Sequence, residues 1–279
     1  DGIDAVIASM EPFVDEVFAA TKLRAVARMG VGYDAVDVPA ASKHGVVVTI
    51  TPGTNEHSVA EQTIALLIGV FRGFPGRDQE VRSGAWLRKS LPRLAGRTIG
   101  LVGMGRIGRA VVPRAQGLGL KVIAADPMAD ADWAAQTGVE LVDFETLLKT
   151  ADIVSLHLPC TPETTDLIDA RAIAQMKPGA VLINTSRGGL VDEEALVAAL
   201  KDRHLFAAGL DVFKVEPLPR DSPLLALDNA LLAPHMGGLD HQSEIDMSRL
   251  AAECIVDLYE GRWPGECVVN ADLDASWKW

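Results

Sequence analysis

Short apolar runs alternate with amphipathic stretches along most of the chain. The apolar runs predict buried strands over Ala5–Ala8, Ala25–Met29, Val46–Thr49, Ile99–Val102, Lys121–Ala125, Ile153–Leu156, Val181–Asn184, Ala207–Leu210 and Leu231–Ala233. The amphipathic stretches predict helices over Val14–Ala20, Val36–His44, Ser58–Phe71, Ile107–Leu118, Phe144–Leu148, Ala170–Gln175, Glu193–Lys201 and Gln242–Tyr259. Strands that are apolar on both faces, each followed by a helix, are typical of parallel sheets covered by helices. The pattern therefore predicts an α/β fold with a doubly wound parallel sheet.

The order of these elements predicts two domains, and a length of 279 residues agrees with that number at ~150 residues per domain. A new series of strands opens at Thr98. We therefore predict that a second α/β domain begins near residue 91. The first run, Ala5–Ala8, would normally have earlier strands beside it, and the chain begins at Asp1 rather than Met. We expect the chain to be truncated at its N-terminus.

Residues 74–90 show no sustained hydrophobic period and contain Pro75, Gly84, Trp86 and several charges. An irregular stretch of this length inside a compact protein is usually functional. A subunit contact is the favoured interpretation, and a disordered linker is the alternative.

Composition narrows the range of partners. The chain has 26 Lys and Arg against 38 Asp and Glu, a net charge of -12, which disfavours nucleic acid and anionic membrane surfaces. No run reaches the ~18 apolar residues of a membrane span. Cys160, Cys254 and Cys267 are odd in number and lack the spacing of a zinc site, so we expect no metal, no disulfide framework and a cytoplasmic location.

A glycine-rich turn predicts a dinucleotide site. Gly103-Met104-Gly105-Arg106-Ile107-Gly108 follows a predicted strand and opens a predicted helix. Gly103 permits the tight turn, Gly105 lets the backbone approach a pyrophosphate, and Gly108 lets helix and strand pack closely. The helix N-terminus and the Arg106 guanidinium provide positive charge for the phosphates.

The next strand ends at Asp126, which is followed by Pro127. An acidic residue ~20 positions beyond the glycines accepts hydrogen bonds from the adenosine ribose and would repel a 2′-phosphate. An ordinary strand-ending turn is the alternative for this pair, but strand, glycines and acid occur in the expected order. The sequence therefore predicts NAD, rather than NADP, as the cofactor.

Four later segments carry a family resemblance. They are Asn184-Thr185-Ser186-Arg187-Gly188-Gly189-Leu190-Val191-Asp192, Gly209-Leu210-Asp211-Val212-Phe213, Val215-Glu216-Pro217-Leu218 and Ala233-Pro234-His235-Met236-Gly237-Gly238. With the glycine turn, they resemble the D-isomer-specific 2-hydroxyacid dehydrogenases from about Ala5 to about Asn270. The resemblance implies an NAD-dependent oxidoreductase that transfers a hydride between NAD(H) and C2 of a small D-2-hydroxy or 2-keto acid. It also implies a Rossmann-type NAD-binding domain over residues 91–240 and a smaller flavodoxin-like α/β substrate domain assembled from residues 1–73 and 241–279.

The resemblance implies Arg187, Glu216 and His235 as the catalytic set. A histidine can exchange the hydroxyl proton near neutral pH, and a carboxylate can hold its second nitrogen and stabilise the imidazolium. An arginine offers a planar fork of donors to the substrate carboxylate and the C2 oxygen. Taken singly, each residue could equally be a packing, surface or loop residue, so the ordered set carries the interpretation.

Further contacts follow from the resemblance. The cofactor contacts it implies, together with those of the glycine turn and ribose acid, are Gly103, Gly105, Arg106, Ile107, Gly108, Asp126, Pro127, Pro159, Thr185, Ser186, Asp211 and Gly237. Asp211 is expected to accept from the nicotinamide carboxamide. Backbone amides of Gly30, Val31 and Gly32, together with Arg187, are expected to bind the substrate carboxylate. The resemblance also implies a homodimer.

One segment departs from the family pattern. Phosphoglycerate dehydrogenases end the first strand in an arginine followed by a serine, and the arginine helps to hold the substrate phosphate. Here the pair is Ala8-Ser9, followed by Met10, which disfavours 3-phosphoglycerate. Two alternatives share the fold: a non-catalytic NAD(H)-sensing corepressor, which retains the same three residues, and a formate dehydrogenase, which Glu216 disfavours because that enzyme pairs its histidine with glutamine.

Overall fold

A computed structural model describes residues 2–273 and 277–279 as a parallel α/β protein. Its strands are β1 (Ala5–Ala8), β2 (Ala25–Arg28), β3 (Val47–Thr49), β4 (Thr98–Val102), β5 (Lys121–Ala125), β6 (Glu140–Leu141), β7 (Ile153–Leu156), β8 (Ala180–Asn184), β9 (Leu205–Leu210) and β10 (Ala230–Leu232). Its helices are α1 (Asp15–Ala20), α2 (Val38–Lys43), α3 (Glu56–Arg72), α4 (Phe74–Arg82), α5 (Arg106–Gly117), α6 (Ala131–Thr137), α7 (Phe144–Thr150), α8 (Ala170–Gln175), α9 (Glu193–Lys201) and α10 (His241–Tyr259).

The chain divides into two compact units. Unit 1 consists of Asp1–Ser58 together with Gly238–Trp279, and unit 2 of Val59–Gly237. This division differs from the predicted boundary at residue 73. The apolar side of α3 packs on the unit 2 sheet, where Leu67 and Phe71 belong to one buried cluster with Ile99 and Ile183. Amphipathic periodicity identified α3 but could not show on which core its apolar face is buried.

Unit 2 is built on a seven-stranded sheet in the order β10-β9-β8-β7-β4-β5-β6, with every neighbouring pair parallel. The chain runs outward from β4 to β6 and then returns to the other side of β4 as β7. The order of strands thus reverses between β4 and β7. In open parallel sheets, ligands bind at the carboxyl ends of the strands beside such a reversal.

Unit 1 contains a three-stranded parallel sheet in the order β1-β2-β3. The free edge of β3 is covered by the C-terminal part of the chain. The buried Asn270 side chain accepts from the Val48 amide at 2.9 Å and donates to the Val46 carbonyl at 2.8 Å. An antiparallel bridge between Thr49 and Val268 continues the pairing. Residues far apart in sequence therefore pair at the edge of this small sheet.

Several local predictions were wrong. Residues 74–90, predicted to be irregular, begin with helix α4, whose polar sequence lacks an apolar period because several of its side chains are exposed. Helix α6 and the two-residue strand β6 were missed, and both β6 residues are exposed. Helix α3 begins at Glu56 rather than at Ser58. Short exposed elements bury too few apolar side chains to leave a periodic signal.

Candidate functional site

Polar and glycine residues follow four adjacent strands of the unit 2 sheet at their carboxyl ends. Gly103 follows β4, His157 follows β7, Thr185 follows β8 and Asp211 follows β9. Parallel strands bring these positions to one edge of the sheet. Gly103 and His157 flank the point where the strand order reverses. The sheet therefore gathers most of the predicted cofactor positions on the edge where ligands bind.

The glycine turn has the tight backbone that the sequence predicted. Gly103 has a φ of 100°, and a Cβ there would lie 2.4 Å from the His157 carbonyl oxygen. A Cβ on Gly108 would lie 2.3 Å from the Gly103 carbonyl oxygen. At Gly105, the residue before α5, a Cβ would meet open space. The turn therefore packs tightly inward and leaves an open cradle at the helix N-terminus, which fits a pyrophosphate.

Asp126, the residue that follows the neighbouring strand β5, stabilises this turn by hydrogen bonds. One carboxylate oxygen accepts from the Met104 amide at 2.7 Å, and the other accepts from the Met128 amide at 2.7 Å. Each carboxylate oxygen can accept two hydrogen bonds, so both retain a lone pair. The carboxylate therefore shapes the turn and keeps acceptor capacity for the ribose hydroxyls, whose binding stays a prediction. Of the other predicted contacts here, Arg106 and Pro127 are exposed and Ile107 is half-buried.

His157 is a buried, neutral histidine beside the glycine turn. Burial lowers its pKa to about 4. Its Nε2 lies 2.9 Å from the Ser155 hydroxyl, and its buried Nδ1 has no hydrogen-bond partner in the described part of the chain. Because a charged imidazole would be costly there, His157 is unsuited to proton exchange with a substrate near neutral pH.

The neighbours of the Thr185 and Ser186 hydroxyls determine the direction in which each hydroxyl donates its proton. Thr63 of α3 lies 2.8 Å from the Thr185 hydroxyl and also 2.8 Å from the Val59 carbonyl oxygen. A carbonyl can only accept, so the Thr63 proton goes to Val59 and Thr185 must donate to Thr63. The Ser186 hydroxyl donates to the Leu158 carbonyl at 2.6 Å. Both hydroxyls are therefore left as acceptors toward a ligand.

His235 and Glu216 form the central pair of the candidate active site. His235 Nδ1 lies 2.6 Å from Glu216 Oε2, and Glu216 Oε1 accepts from the Phe213 amide at 2.9 Å. Burial by itself raises the pKa of Glu216, but the hydrogen bonds from His235 and Phe213 and the charge of Arg187 outweigh it, so the pKa is lowered. The carboxylate therefore stays ionised through the neutral range and can support a protonated imidazole.

Arg187 lies on the turn that follows β8, within electrostatic reach of Glu216. The buried Asn184 side chain closes this turn by accepting from the Ser186 amide at 3.0 Å and donating to the Arg187 carbonyl at 2.8 Å. Arg187 Nη1 donates to the Ser186 carbonyl at 2.7 Å. A Cβ on Gly188 would lie 1.9 Å from the Phe213 carbonyl carbon, so the Arg187 turn and the Glu216 loop touch through their backbones.

The backbone of His235 is held in an unusual conformation. Its φ is 53°, in the left-handed region that costs a non-glycine residue about 1–3 kcal/mol. Asp211 holds the segment: its carbonyl oxygen accepts from the His235 amide at 2.8 Å, Oδ1 from the Met236 amide at 3.1 Å and Oδ2 from the Gly237 amide at 2.7 Å. The predicted cofactor residues Asp211 and Gly237 thus bind each other.

In unit 1, the loop after β2 only partly matches the predicted anion site. The Gly30 amide donates to the buried Thr51 hydroxyl at 2.8 Å, so it is already engaged and the prediction for this residue needs correction. The buried Arg28 side chain donates to the Gly32 carbonyl at 3.0 Å and to the Ala8 carbonyl at 3.1 Å. Arg28 therefore fixes the loop, and Val31 and Gly32 remain the predicted anion-binding amides.

Comparison with known proteins settles the family. The model of the D-isomer specific 2-hydroxyacid dehydrogenase NAD-binding domain matches residues 64–237. The chain belongs to the D-isomer-specific 2-hydroxyacid dehydrogenase family. The dehydrogenase is thus an NAD-dependent oxidoreductase of hydroxy or keto acids, and the matched residues lie within unit 2.

Three relatives illustrate the range of similarity. A glyoxylate reductase of Korarchaeum cryptofilum is 42% identical over 273 residues, covering 95% of the dehydrogenase and 82% of the relative. A D-3-phosphoglycerate dehydrogenase of Mycobacterium leprae is 48% identical over 238 residues, covering 84% of the dehydrogenase but only 45% of the relative. The crystal structure of Aquifex aeolicus D-lactate dehydrogenase with NAD and lactic acid superimposes with a TM-score of 0.89 at 26% identity, covering 96% and 87% of the two chains.

Sequence reasoning missed two residues that hydrogen-bond to predicted site residues. Gln62 and Thr63 of α3 contact Asp211 and Thr185, but they lie in a helix whose apolar period gave no reason to single them out. Within residues 2–273 and 277–279, no group of three acidic, histidine or cysteine side chains could hold a metal ion. Over the same residues, no helix is long and apolar enough to cross a membrane.

Proposed function

We propose that the dehydrogenase interconverts an unphosphorylated 2-keto acid and its D-2-hydroxy acid, with His235 as the residue that gives and takes the proton. The observation that carries this proposal is the 2.6 Å contact between His235 Nδ1 and Glu216 Oε2. It commits Nδ1 to the carboxylate and leaves Nε2 for the substrate oxygen. Histidine serves this role well because it changes its charge near neutral pH.

The chain offers fitting residues for three parts of the cofactor: the pyrophosphate, the ribose hydroxyls and the carboxamide. The open cradle at Gly105 and the N-terminus of α5 suit the pyrophosphate, and the spare lone pairs of Asp126 suit the ribose hydroxyls. The acceptor hydroxyls of Thr185 and Ser186 suit the amide N–H groups of a carboxamide. NAD, when bound, accepts or supplies the hydride. A carboxylate at Asp126 favours NAD over NADP.

Arg187 completes the chemistry at the substrate. Its guanidinium can bind the substrate carboxylate and polarise the C2 oxygen. Its charge also helps to keep Glu216 ionised. In keto-acid reduction, the protonated His235 donates to the developing alkoxide; in oxidation, the neutral His235 accepts the hydroxyl proton. The contact of the Gly188 backbone with Phe213 holds Arg187 and Glu216 on adjoining turns.

The segment after β1 supports an unphosphorylated substrate. Instead of an arginine, the chain places Ala8 and Ser9 there, and the Ser9 amide donates to the Glu11 carboxylate at 2.8 Å. Backbone hydrogen bonds from Glu11 itself and Ser9 lower the pKa of Glu11, which is anionic near neutral pH. A fixed negative charge would repel a phosphate, and the exposed Met10 adds an apolar surface. Glyoxylate, hydroxypyruvate, pyruvate and bulkier 2-keto acids are the candidates.

A substrate screen tests the proposal. NADH oxidation would be followed with those four kinds of 2-keto acid and with 3-phosphohydroxypyruvate, each repeated with NADPH. We expect turnover of at least one unphosphorylated acid with NADH, and a lower kcat/KM for the phosphorylated acid. A higher kcat/KM for 3-phosphohydroxypyruvate would refute the substrate class. Tight NADH binding without turnover of any acid would favour the NAD(H)-sensing alternative.

Replacing Glu216 by glutamine should change the pH profile. Because the pKa of Glu216 is lowered, its negative charge is present at neutral pH and is lost only as the pH falls through that lowered value. Removing the charge removes its support for the imidazolium. We expect the pH above which reductase kcat/KM declines to move down by about one unit or more.

The matched control for that variant is Glu193→Gln. The Glu193 carboxylate accepts from the Lys214 amide at 2.6 Å, on the same loop but away from the imidazole. Its pH profile should match the wild type. Equal shifts in both variants would show that the effect is a general change in charge and not the loss of the partner of His235.

We further propose that residues 74–90 contact a second copy of the chain. Phe74, Val81, Trp86 and Leu87 expose more than half of their surface, and Trp86 is 78% exposed. Arg77, Arg82, Arg88 and Lys89 make this segment basic within an acidic chain, which suits an acidic partner such as another copy. We also expect a cytoplasmic location, which agrees with the free thiols of Cys254 and Cys267.

Light scattering after size exclusion tests the contact. We expect a dimer for the wild type and a monomer for Trp86→Ser at the same concentration. The substitution removes a large aromatic side chain that the proposed interface would bury. Met128→Ser, which removes an 88% exposed side chain elsewhere in unit 2, is the matched control and should stay dimeric. An unchanged mass for Trp86→Ser would place the interface elsewhere.

A further inference from the structure

Asp211 binds more than the segment that carries His235. Besides the amides of Met236 and Gly237, its carboxylate accepts from Gln62 Nε2 on α3, at 3.2 Å from Oδ1. A carboxylate cannot donate, so the nitrogen end of the Gln62 amide must face it. Asp211 is only 1% exposed. Neutral N–H donors therefore give this buried carboxylate the hydrogen bonds that water gives an exposed one.

Gln62 is packed as well as hydrogen-bonded. A Cβ added to Gly237 would lie 2.9 Å from Asp211 Oδ2 and 3.6 Å from Gln62 Cγ. The stem of Gln62 thus lies against the same glycine whose amide Asp211 binds. Gln62, Asp211 and Gly237 thus form one packed layer, which is joined to His235 by the hydrogen bond from the His235 amide to the Asp211 carbonyl oxygen.

This layer holds a conformation that His235 would not adopt by itself. A positive φ is disfavoured for histidine, so the surrounding hydrogen bonds must stabilise the backbone of His235 in this conformation. Three successive amides, those of His235, Met236 and Gly237, are bound by oxygens of the single residue Asp211. Burial raises the pKa of Asp211, and the two backbone amides, the charge of His235 and Gln62 act in the opposite direction. Any motion of the Asp211 carboxylate would be passed to His235 through the backbone.

We propose that Gln62 is a positioning residue for His235, acting through Asp211. It holds the carboxylate at the place where both oxygens meet the amides of Met236 and Gly237, and so keeps the imidazole facing the reacting oxygen. This proposal rests on the proposed role of His235 as the proton-exchanging group. It assigns to α3 a part in the chemistry that the glycine turn and the family motifs do not contain.

The test is Gln62→Met, which removes the amide donor at nearly constant volume. One lost hydrogen bond to a charged group corresponds to a decrease of about 10- to 100-fold in a rate. With the holoenzyme and saturating NADH, we expect kcat for keto-acid reduction to fall by that factor. Because Asp211 is also a predicted cofactor contact, we expect NADH affinity to fall by a smaller factor than kcat, and the melting temperature to change by only a few degrees. Glu61→Gln, which removes an exposed pair with Arg114 at 3.1 Å on the same helix, should leave kcat unchanged.

Amide hydrogen exchange supplies a readout that does not depend on turnover. In Gln62→Met, the amides of Met236 and Gly237 should exchange faster than in the wild type, while those of the buried strand β8 keep their protection. Unchanged exchange, unchanged kcat, or a parallel loss of NADH affinity and melting temperature would each overturn the proposal. If the wild type reduces no 2-keto acid, the proposed function fails, and the exchange experiment still decides whether Gln62 holds the segment.

Discussion

Replacing His235 by alanine should lower kcat/KM for keto-acid reduction by about 10²–10⁴-fold, the usual contribution of a positioned acid–base group. The imidazole is the group that Glu216 holds at 2.6 Å, and no backbone atom can replace it as a proton donor. The cofactor cradle at Gly103–Gly108 does not contain this side chain. NADH affinity, measured by fluorescence titration, should therefore stay close to that of the wild type.

His204→Ala is the matched control. His204 precedes β9 and so stands at the edge of the sheet opposite the site, where its Nε2 lies 2.9 Å from the Ile173 carbonyl oxygen. Its kcat/KM should change little. The double variant His235→Ala with Glu216→Gln should be hardly slower than His235→Ala alone, because Glu216 acts through the imidazole. Near-normal turnover by His235→Ala would falsify its assignment as the acid–base group.

Replacing Gly188 by alanine should be the most damaging single change to the fold of the site. A Cβ there would lie 1.9 Å from the carbonyl carbon of Phe213 and 2.4 Å from the Lys214 amide nitrogen. These are backbone atoms, which cannot swing aside, so the Arg187 turn must separate from the loop that carries Glu216. We expect a loss of about 3 kcal/mol or more in the free energy of unfolding, together with loss of most reductase activity. Denaturant unfolding followed by circular dichroism measures the first effect.

Gly189→Ala separates this clash from a general intolerance of the turn. A Cβ on Gly189 would meet only the Cys160 sulfur, at 2.9 Å, and a side-chain end can move. The free energy of unfolding should therefore fall much less than for Gly188→Ala. Equal effects of the two substitutions, or a Gly188→Ala protein with wild-type stability and activity, would contradict the close contact between the two turns.

The elements that the sequence predicted best are those with the strongest periodic or apolar signal. Strands Ala5–Ala8, Lys121–Ala125 and Ile153–Leu156 and helix Glu193–Lys201 lie where they were predicted. Lys121–Ala125, apart from Lys121, and Ile153–Leu156 are buried, and Glu193–Lys201 is amphipathic, so their side chains report their surroundings directly. In Ala5–Ala8 only Ala8 is buried, and the apolar run alone predicted the strand. The exposed strand β6 and the polar helix α4 carried no such signal, and both were missed.

The same contrast holds at the site. The motifs named Arg187, Glu216 and His235, and the structure brings His235 and Glu216 into contact, with Arg187 within electrostatic reach. Their catalytic roles remain predictions for the variants above. What the motifs could not show is how backbone hydrogen bonds are distributed. The Gly30 amide, which was predicted to bind the substrate carboxylate, is used by Thr51, and the amide of Gly237, a predicted cofactor contact, is used by Asp211.

By itself, the sequence determined the α/β architecture, the tight glycine turn and the family, because each depends on residue type and on spacing along the chain. It also predicted which side chains take part in the reaction. Only the tertiary structure decided that α3 packs on the unit 2 sheet, that Gln62 and Thr63 hold Asp211 and Thr185, and that His235 adopts a left-handed backbone. The physical reason is that hydrogen-bonding capacity is limited: whether a donor or acceptor is available to a ligand depends on which neighbours the folded chain has already placed against it.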